Sequence, residues 1–363
     1  LLDGGSGGEA NGDVAQFTGD RANYLILDNG GGTLRVVDRA GTYGDDTVSN
    51  VETLRFDDGD VAVSGLTLGT IVTGTPGADS LDGTTGDDSI DALAGDDTVN
   101  GLAGNDSING NEDADSISGG DGADIVSGDA GDDTLEGDAG SDSLLGGAGD
   151  DSVVGGGDDD TLYGDDGNDT LEGGDGNDTS YDSNRDTGDD SIDMGAGDDT
   201  VYDAQGDNTI LGGDGNDRLW YVSGENIDGG TGDDSIGFYN YHNDAVNARN
   251  VTIEGGEGDD LIQDYGSYDY NNGNLSYDLR GGAGNDTVRG SSYGDTIDGG
   301  ADDDSLAGNN GDDTIFGGTG DDLLEGNNGN DSLLGGDGDD IFHQNAYSCL
   351  LYTSDAADDL LCV

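Results

Sequence analysis

The sequence predicts an all-β fold, a parallel solenoid of short stacked coils preceded by a small β-rich module. Three observations carry that prediction: a nine-residue period, one large apolar residue per period with small or polar neighbours, and glycine- and aspartate-rich runs between those apolar sites. The period holds without insertion from Gly74 to Tyr181, which divides into 12 nonapeptides such as 101–109 (GLAGNDSIN) and 164–172 (GDDGNDTLE). It returns from Gly281 to His343 as 7 more. The common pattern is G-G-x-G-x-D-x-U-x, where U is apolar.

In x-U-x, the middle side chain of a three-residue strand faces one side and its neighbours the other. Glycines ahead of it allow positive φ, so six residues can reverse the chain. Two units, 18 residues, therefore close one coil, and coils stack as parallel strands about 4.8 Å apart. Residues i and i+18 become vertical neighbours. U is Leu81, Ile90, Val99, Ile108 and so on through Leu171, with Ser180 breaking the series.

Composition restricts the partners. Of 363 residues, 83 are acidic and 9 basic, all of them arginine, for a formal charge of −74. Leu, Ile, Val and Phe make up 68 residues, too few at this charge for an ordinary packed core. The charge repels nucleic acid and anionic lipid, and no apolar run reaches membrane-spanning length. What such a chain attracts is cations.

The sixth position of each unit places the acids. In the first array it is Asp79, Asp88, Asp97, Asp106, Asp115, Asp124, Asp133, Asp142, Asp151, Asp160, Asp169 and Asp178. In the looser section that follows it is Asp190, Asp199, Asp217, Asp234 and Asp260, and in the second array Asp286, Asp295, Asp304, Asp313, Asp322, Asp331 and Asp340. Stacking sets Asp79 above Asp97 and Asp88 above Asp106 along two edges. Carboxylates about 5 Å apart repel by roughly 3 kcal/mol at an effective dielectric near 20, so the stack requires counter-ions. The turns offer carboxylate and backbone carbonyl oxygens, with no histidine or cysteine nearby. All-oxygen sites in pliable backbone suit several calcium ions, better than magnesium and unlike typical zinc or copper sites. Asp113, Asp158, Tyr293 and Asp302 replace the fourth-position glycine, and Asn208 the sixth-position aspartate, so calcium binding is expected to weaken at those turns.

With these motifs the chain resembles the RTX (repeats-in-toxin) family over about three-quarters of its length. The resemblance implies a right-handed parallel β-roll with calcium between stacked turns. It also implies a bacterial protein exported by type I secretion machinery and folding in extracellular calcium, secreted or held at the cell surface.

The remaining segments complete a six-part organisation. Residues 1–9 look like the end of an earlier repeat, with Glu9 at the aspartate position, so the native N-terminus is expected upstream. Residues 10–73 form a β-rich spacer, with strand candidates Tyr24–Leu27, Thr33–Val37 and Val51–Phe56 and a turn signal at Asp28-Asn29-Gly30. After the array at 74–181, residues 182–280 keep degenerate repeats and two 17-residue insertions, 238–254 and 264–280. Each insertion is close to one 18-residue coil and is expected to continue the stack without calcium. From Tyr181 to Tyr293 lie ten of the fifteen tyrosines, with Trp220 and Phe238. Covering weak coils or filling a widened core is their favoured role, and binding cell-surface glycans the alternative. The second array is 281–343, and 344–363 reads as a non-native tail. Within it, Cys349 to Asp358 (CLLYTSDAAD) matches a translated sequencing adapter, and Cys349 and Cys362 are the only cysteines. No cysteine chemistry is therefore expected of the protein itself.

No catalytic constellation is visible. His242 and His343 belong to no triad, and there is no H-E-x-x-H. The expected role is a calcium-binding repeat region, with no enzyme activity in these residues. A glycan-binding adhesin or biofilm matrix protein, or the tail of a secreted protease, lipase, epimerase or toxin, are the alternatives.

Overall fold

The computed structural model of the chain describes residues 2–3, 14–16, 24–28, 33–38, 45–49, 53–56, 59–62, 69–181, 188–202, 206–222, 224–238, 250–265, 276–344, 351–353 and 360–361. Every regular element among them is a β-strand. The chain forms two compact units, Leu1–Gly146 and Gly147–Val363.

The first unit opens with the β-rich module: β1 (Leu2–Asp3), β2 (Val14–Gln16), β3 (Tyr24–Asp28), β4 (Thr33–Asp38), β5 (Asp45–Ser49), β6 (Thr53–Phe56) and β7 (Gly59–Ala62). They form a four-stranded sheet, β1-β5-β4-β3, and a three-stranded one, β2-β6-β7. The predicted strands Tyr24–Leu27 and Thr33–Val37 are β3 and β4, each one residue longer, and they pair antiparallel with Leu27 opposite Arg35. Leu34 and Val36, two apart, are buried on one face, as period-2 alternation requires. Of the third candidate, Thr53–Phe56 is β6, and residues 51 and 52 lie outside the described residues. Residues 29 and 30 of the predicted turn lie outside the described residues. Leu2 pairs in parallel with Val48 of β5, so β1 extends this module.

The solenoid supplies two parallel ladders in each unit, here termed I and II. In the first unit, ladder I pairs Ile90 with Ile108 and Ile108 with Val126. Ladder II pairs Leu81, Val99, Ile117 and Leu135 in succession. In the second unit, ladder I runs from Leu162 through Ser180, Val201, Leu219, Ile236, Ile262, Val288, Leu306 and Leu324 to Phe342. Ladder II runs there from Val153 through Leu171, Ile192, Ile210, Ile227, Ile253, Leu279, Ile297 and Ile315 to Leu333. From Ile90 onward these residues are buried, and they make the core. Many strands exceed the predicted three residues: Ser107–Glu112 has six, because the turn's first residues go on pairing, as Asn111 does with Asp129.

The stack continues through the insertions as expected, but neither insertion makes a coil of its own. Ser235 pairs with Leu261 and Leu261 with Thr287, so each of these coils holds 26 residues where a regular one holds 18. An insertion thus supplies the first part of one ladder II strand, Asn250–Glu257 or Ser276–Ala283, with the surplus residues falling between its ladder I and ladder II strands, and adds no separate coil. Tyr268 and Tyr270, and His242, fall outside the described residues. In the tail, Leu351–Thr353 and Leu360–Leu361 pair in parallel with Ser332–Leu334 and Ile341–Phe342, and the rest of the adapter-like string is not described.

Candidate metal centres

Sixth-position aspartates line two edges in each unit, one leading into each ladder. Of the 24 predicted ligands, 23 are buried, Asp79 being partly exposed, so they are not solvated turn decoration. The coil stack explains their burial. Two residues before U, the side chain turns inward beneath the next coil. There its Oδ1 accepts the backbone N–H of the aspartate one coil earlier. Asp88 N–H donates to Asp106 at 2.7 Å, Asp97 to Asp115 at 2.8 Å, Asp234 to Asp260 at 2.8 Å and Asp260 to Asp286 at 2.8 Å.

The second carboxylate oxygen is what identifies a site. Oδ2 of Asp97, Asp106, Asp115, Asp178, Asp199, Asp217, Asp234, Asp260, Asp286, Asp304, Asp313, Asp322 and Asp331 is buried and accepts no hydrogen bond. A buried anionic oxygen without a donor is costly and calls for a cation. The space beside it is a cradle formed by the first glycine of the unit. A Cβ added to Gly255 would collide with Asp260 Oδ2 and the Gly281 carbonyl oxygen, and one added to Gly101 with Asp106 Oδ2 and the Gly119 carbonyl oxygen. A carboxylate oxygen and a backbone carbonyl of the next coil therefore face one spot. Among the described residues no three His, Cys, Asp or Glu side chains converge, so an ion would be held by single carboxylates with backbone carbonyls. Such a donor set fits calcium.

Electrostatics agree. Burial pushes Asp106, Asp199, Asp234, Asp260, Asp304 and Asp313 up to about 7, with neighbouring carboxylates adding to it and the backbone N–H bond opposing it. Asp115, Asp217, Asp286 and Asp322 rise to about 6 for the same leading reason.

The edges are not uniform. Asp79, Asp88 and Asp295 are satisfied within the protein: the N–H and hydroxyl of Thr75, Thr84 and Ser291, four residues earlier, bond their Oδ2 at 2.5–3.1 Å. A hydroxyl residue at the unit's second position was the available signal. In the second unit the edge into ladder I keeps its aspartates from Asp160 to Asp340. The edge into ladder II loses them between Asp190 and Asp295. Asn208 accepts the Asp190 N–H through its amide oxygen at 2.7 Å, and two residues before Ile253 and Leu279 stand Val251 and Tyr277. Tyr277 is buried and packs on Phe238, ring centroids 4.7 Å apart and tilted. Phe238 takes a first-position glycine's place and Tyr277 an aspartate's, so an apolar plug stands where the pattern puts an ion. Counting back from U would have exposed this, whereas searching for GGxGxD could not.

Elsewhere the substitutions expected to weaken the turn keep its backbone. Asp113, Asp158 and Asp302 adopt φ of 75°, 71° and 78°, the left-handed conformation a fourth-position glycine supplies. Tyr293 does not, and its N–H is taken by Ser291 Oγ at 3.1 Å. Beside that turn lies a polar notch of about 310 Å³, lined by Asp264, Gly290, Ser291, Ser292, Asn309, Asn310, Asn327 and Asn328.

Fold and edges together define a class, a parallel β-solenoid whose stacked turns bind cations through oxygen. The four-copy RTX calcium-binding nonapeptide repeat matches residues 73–108, 109–144, 145–179, 186–219, 193–227, 246–265, 280–315 and 307–342, more than half of the sequence. The chain belongs to that family, and calcium binding follows from it. No curated protein matches. Among solved structures it is similar to the X-ray crystal structure of a hyperactive, Ca2+-dependent, beta-helical antifreeze protein from an Antarctic bacterium. That likeness has a TM-score of 0.32 and 18% identity, covering 78% of this chain and 83% of the other. No helix among the described residues is long and apolar enough to cross a membrane.

Proposed function

We propose that these residues are the calcium-triggered folding region of a secreted bacterial protein, exported through type I secretion machinery and completed outside the cell. The observation that carries this is the file of buried carboxylates whose Oδ2 atoms have no protein donor. Without an ion, stacking them opposes folding, and the chain stays extended enough for a narrow channel. Extracellular calcium, at the 10⁻⁴–10⁻³ M range typical of such modules, fills the turns and drives the coils together. The role is architectural, and any catalysis by the intact protein belongs to other residues. Far-ultraviolet circular dichroism during a calcium titration tests it. Little strand signal in chelator and a cooperative rise in calcium, absent with equal magnesium, is expected. Identical spectra in chelator and calcium would sink it.

A second partner, a cell-surface glycan, is favoured by the outward aromatic row of the second unit between Tyr163 and Tyr265.

A further inference from the structure

On the solvent side of ladder I in the second unit, the residue after U is aromatic in successive coils: Tyr163, Tyr181, Tyr202 and Trp220. Register places Tyr163 beside Tyr181, Tyr181 beside Tyr202 and Tyr202 beside Trp220. Tyr163 and Tyr181 stack at 5.3 Å with 15° between planes, and Tyr181 and Tyr202 at 5.2 Å with 8°. The next position is Gly237, and its missing side chain matters. A Cβ there would strike the ring of Tyr265, which instead lies over Gly237 and stacks on Trp220 at 5.4 Å. The row thus gains a fifth ring from the following coil. Tyr181, Tyr202 and Tyr265 are each 37–38% exposed, so the row is a surface and not a widened core.

The row also lies on an acid-free lane of a chain carrying −74. Beside it, on the other side of U, run Thr161, Thr179, Thr200, Arg218 and Ser235, so neither row holds an acid. The matching outward row of ladder II carries Glu172, Asp193, Asp228 and Glu254 over the same coils. Four steps of about 4.8 Å give a lane roughly 19 Å long and one ring wide. That is far below the ~800 Å² per partner of a stable protein interface. The surrounding acids repel anionic polymers over about a Debye length. An extended sugar chain fits instead: its apolar C–H faces suit the offset rings, and its hydroxyls suit the tyrosine and threonine hydroxyls.

We propose that this lane binds a neutral hexose polysaccharide along Tyr163, Tyr181, Tyr202, Trp220 and Tyr265. The proposal deepens the glycan reading and rests on it. Trp220 is the chain's single tryptophan and reports directly on the lane. The full chain in calcium, with its strand signal verified by circular dichroism, is run in native gels containing hydroxyethylcellulose or a mixed-linkage β-glucan, with alginate as anionic comparison. Retardation by the neutral polymers only, with a shift in Trp220 emission, is expected. Tyr181→Thr/Tyr202→Thr should weaken binding at least tenfold while leaving the calcium midpoint within twofold, and Glu172→Gln on the opposite face should change neither. Threonine is chosen because it suits an exposed strand. If that variant nonetheless loses strand signal, Tyr265→Ser, which changes a ring outside the regular row, takes its place with the same expectation. Neutral-glycan binding untouched by these variants would overturn the lane and leave the glycan reading standing, whereas binding to none of the polymers sinks both. Retardation by alginate alone, or self-association abolished by the same variants, would also overturn it. A chain equally folded in chelator removes the calcium reading yet still tests the lane.

Discussion

Replacing Asp260 with asparagine separates specific ligation from mere neutralisation of a very acidic chain. Asp260 Oδ1 accepts the Asp234 N–H at 2.8 Å, and its Oδ2 is buried without a donor beside the Gly281 carbonyl. Asp259, its neighbour, is exposed, and its Oδ1 accepts the backbone and side-chain N–H groups of Asn285 at 2.7 and 3.0 Å. Both substitutions remove one of 83 acids, so they change net charge equally. In Asp260→Asn the Asp234 bond persists but loses its charge, worth roughly 1 kcal/mol. The amide then turns an N–H2 toward the ion in place of an anionic oxygen. Each tenfold change in affinity is about 1.4 kcal/mol, a reasonable scale for one charged ligand. No second edge compensates, because Val251 and Tyr277 occupy the opposite edge around these coils. The calcium midpoint from circular dichroism should rise about tenfold for Asp260→Asn and less than twofold for Asp259→Asn. Equal shifts would refute ligation at the sixth position and reduce calcium to a screening ion.

Three further outcomes are expected. Ser180 Oγ is buried in the core without a hydrogen-bond partner, between Leu162 and Val201 in ladder I. Ser180→Val should stabilise the calcium-loaded fold by about 1–3 kcal/mol in urea denaturation, and a loss would assign the hydroxyl a role. Because burial raises the carboxylates from 3.8 to about 7, the ion-free fold binds more protons than the unfolded chain. Its stability is greatest below about pH 4 and is lost as pH climbs toward 7. Strand signal in chelator should therefore grow as pH falls from 7.5 to 4, and the calcium midpoint should rise as protons compete; a flat response contradicts the burial of these groups. Gly256→Ala should cost several kcal/mol, since Gly256 has φ +118° and a Cβ there meets the Gly230 carbonyl oxygen. Gly77→Ala, with nothing near, should stay within about 0.5 kcal/mol, and similar melting of the two would refute the tight coil packing.

Period alone made most of this legible. The alternation around U and the 18-residue return suffice to put Ile90 on Ile108 and Asp97 on Asp115, because strand geometry leaves a nine-residue unit little choice. Three features escape the period taken alone. Each 17-residue insertion nearly matches the length of a whole coil, and only the pairing partners show that it enlarges one coil from 18 to 26 residues instead of adding another. The Tyr277–Phe238 plug is made of residues foreign to the motif, at places fixed by phase. The self-satisfied Asp79, Asp88 and Asp295 depend on whether a hydroxyl four residues back turns inward, a local choice that glycine-based pattern matching ignores.

The 26-residue coils bear on how such a sequence can change over time. In an ordinary sheet a one-residue slip turns every side chain to the wrong face. Here Asp217, Asp234, Asp260 and Asp286 follow one another at intervals of 17, 26 and 26 residues without a missed hydrogen bond. Register is reset at each coil by the strand it lies on, so an insertion at a crossing is absorbed within its own coil. Deletions and duplications can accumulate there while downstream residues keep their partners. A chain of this kind can lengthen, shorten and acquire new outward surfaces one coil at a time.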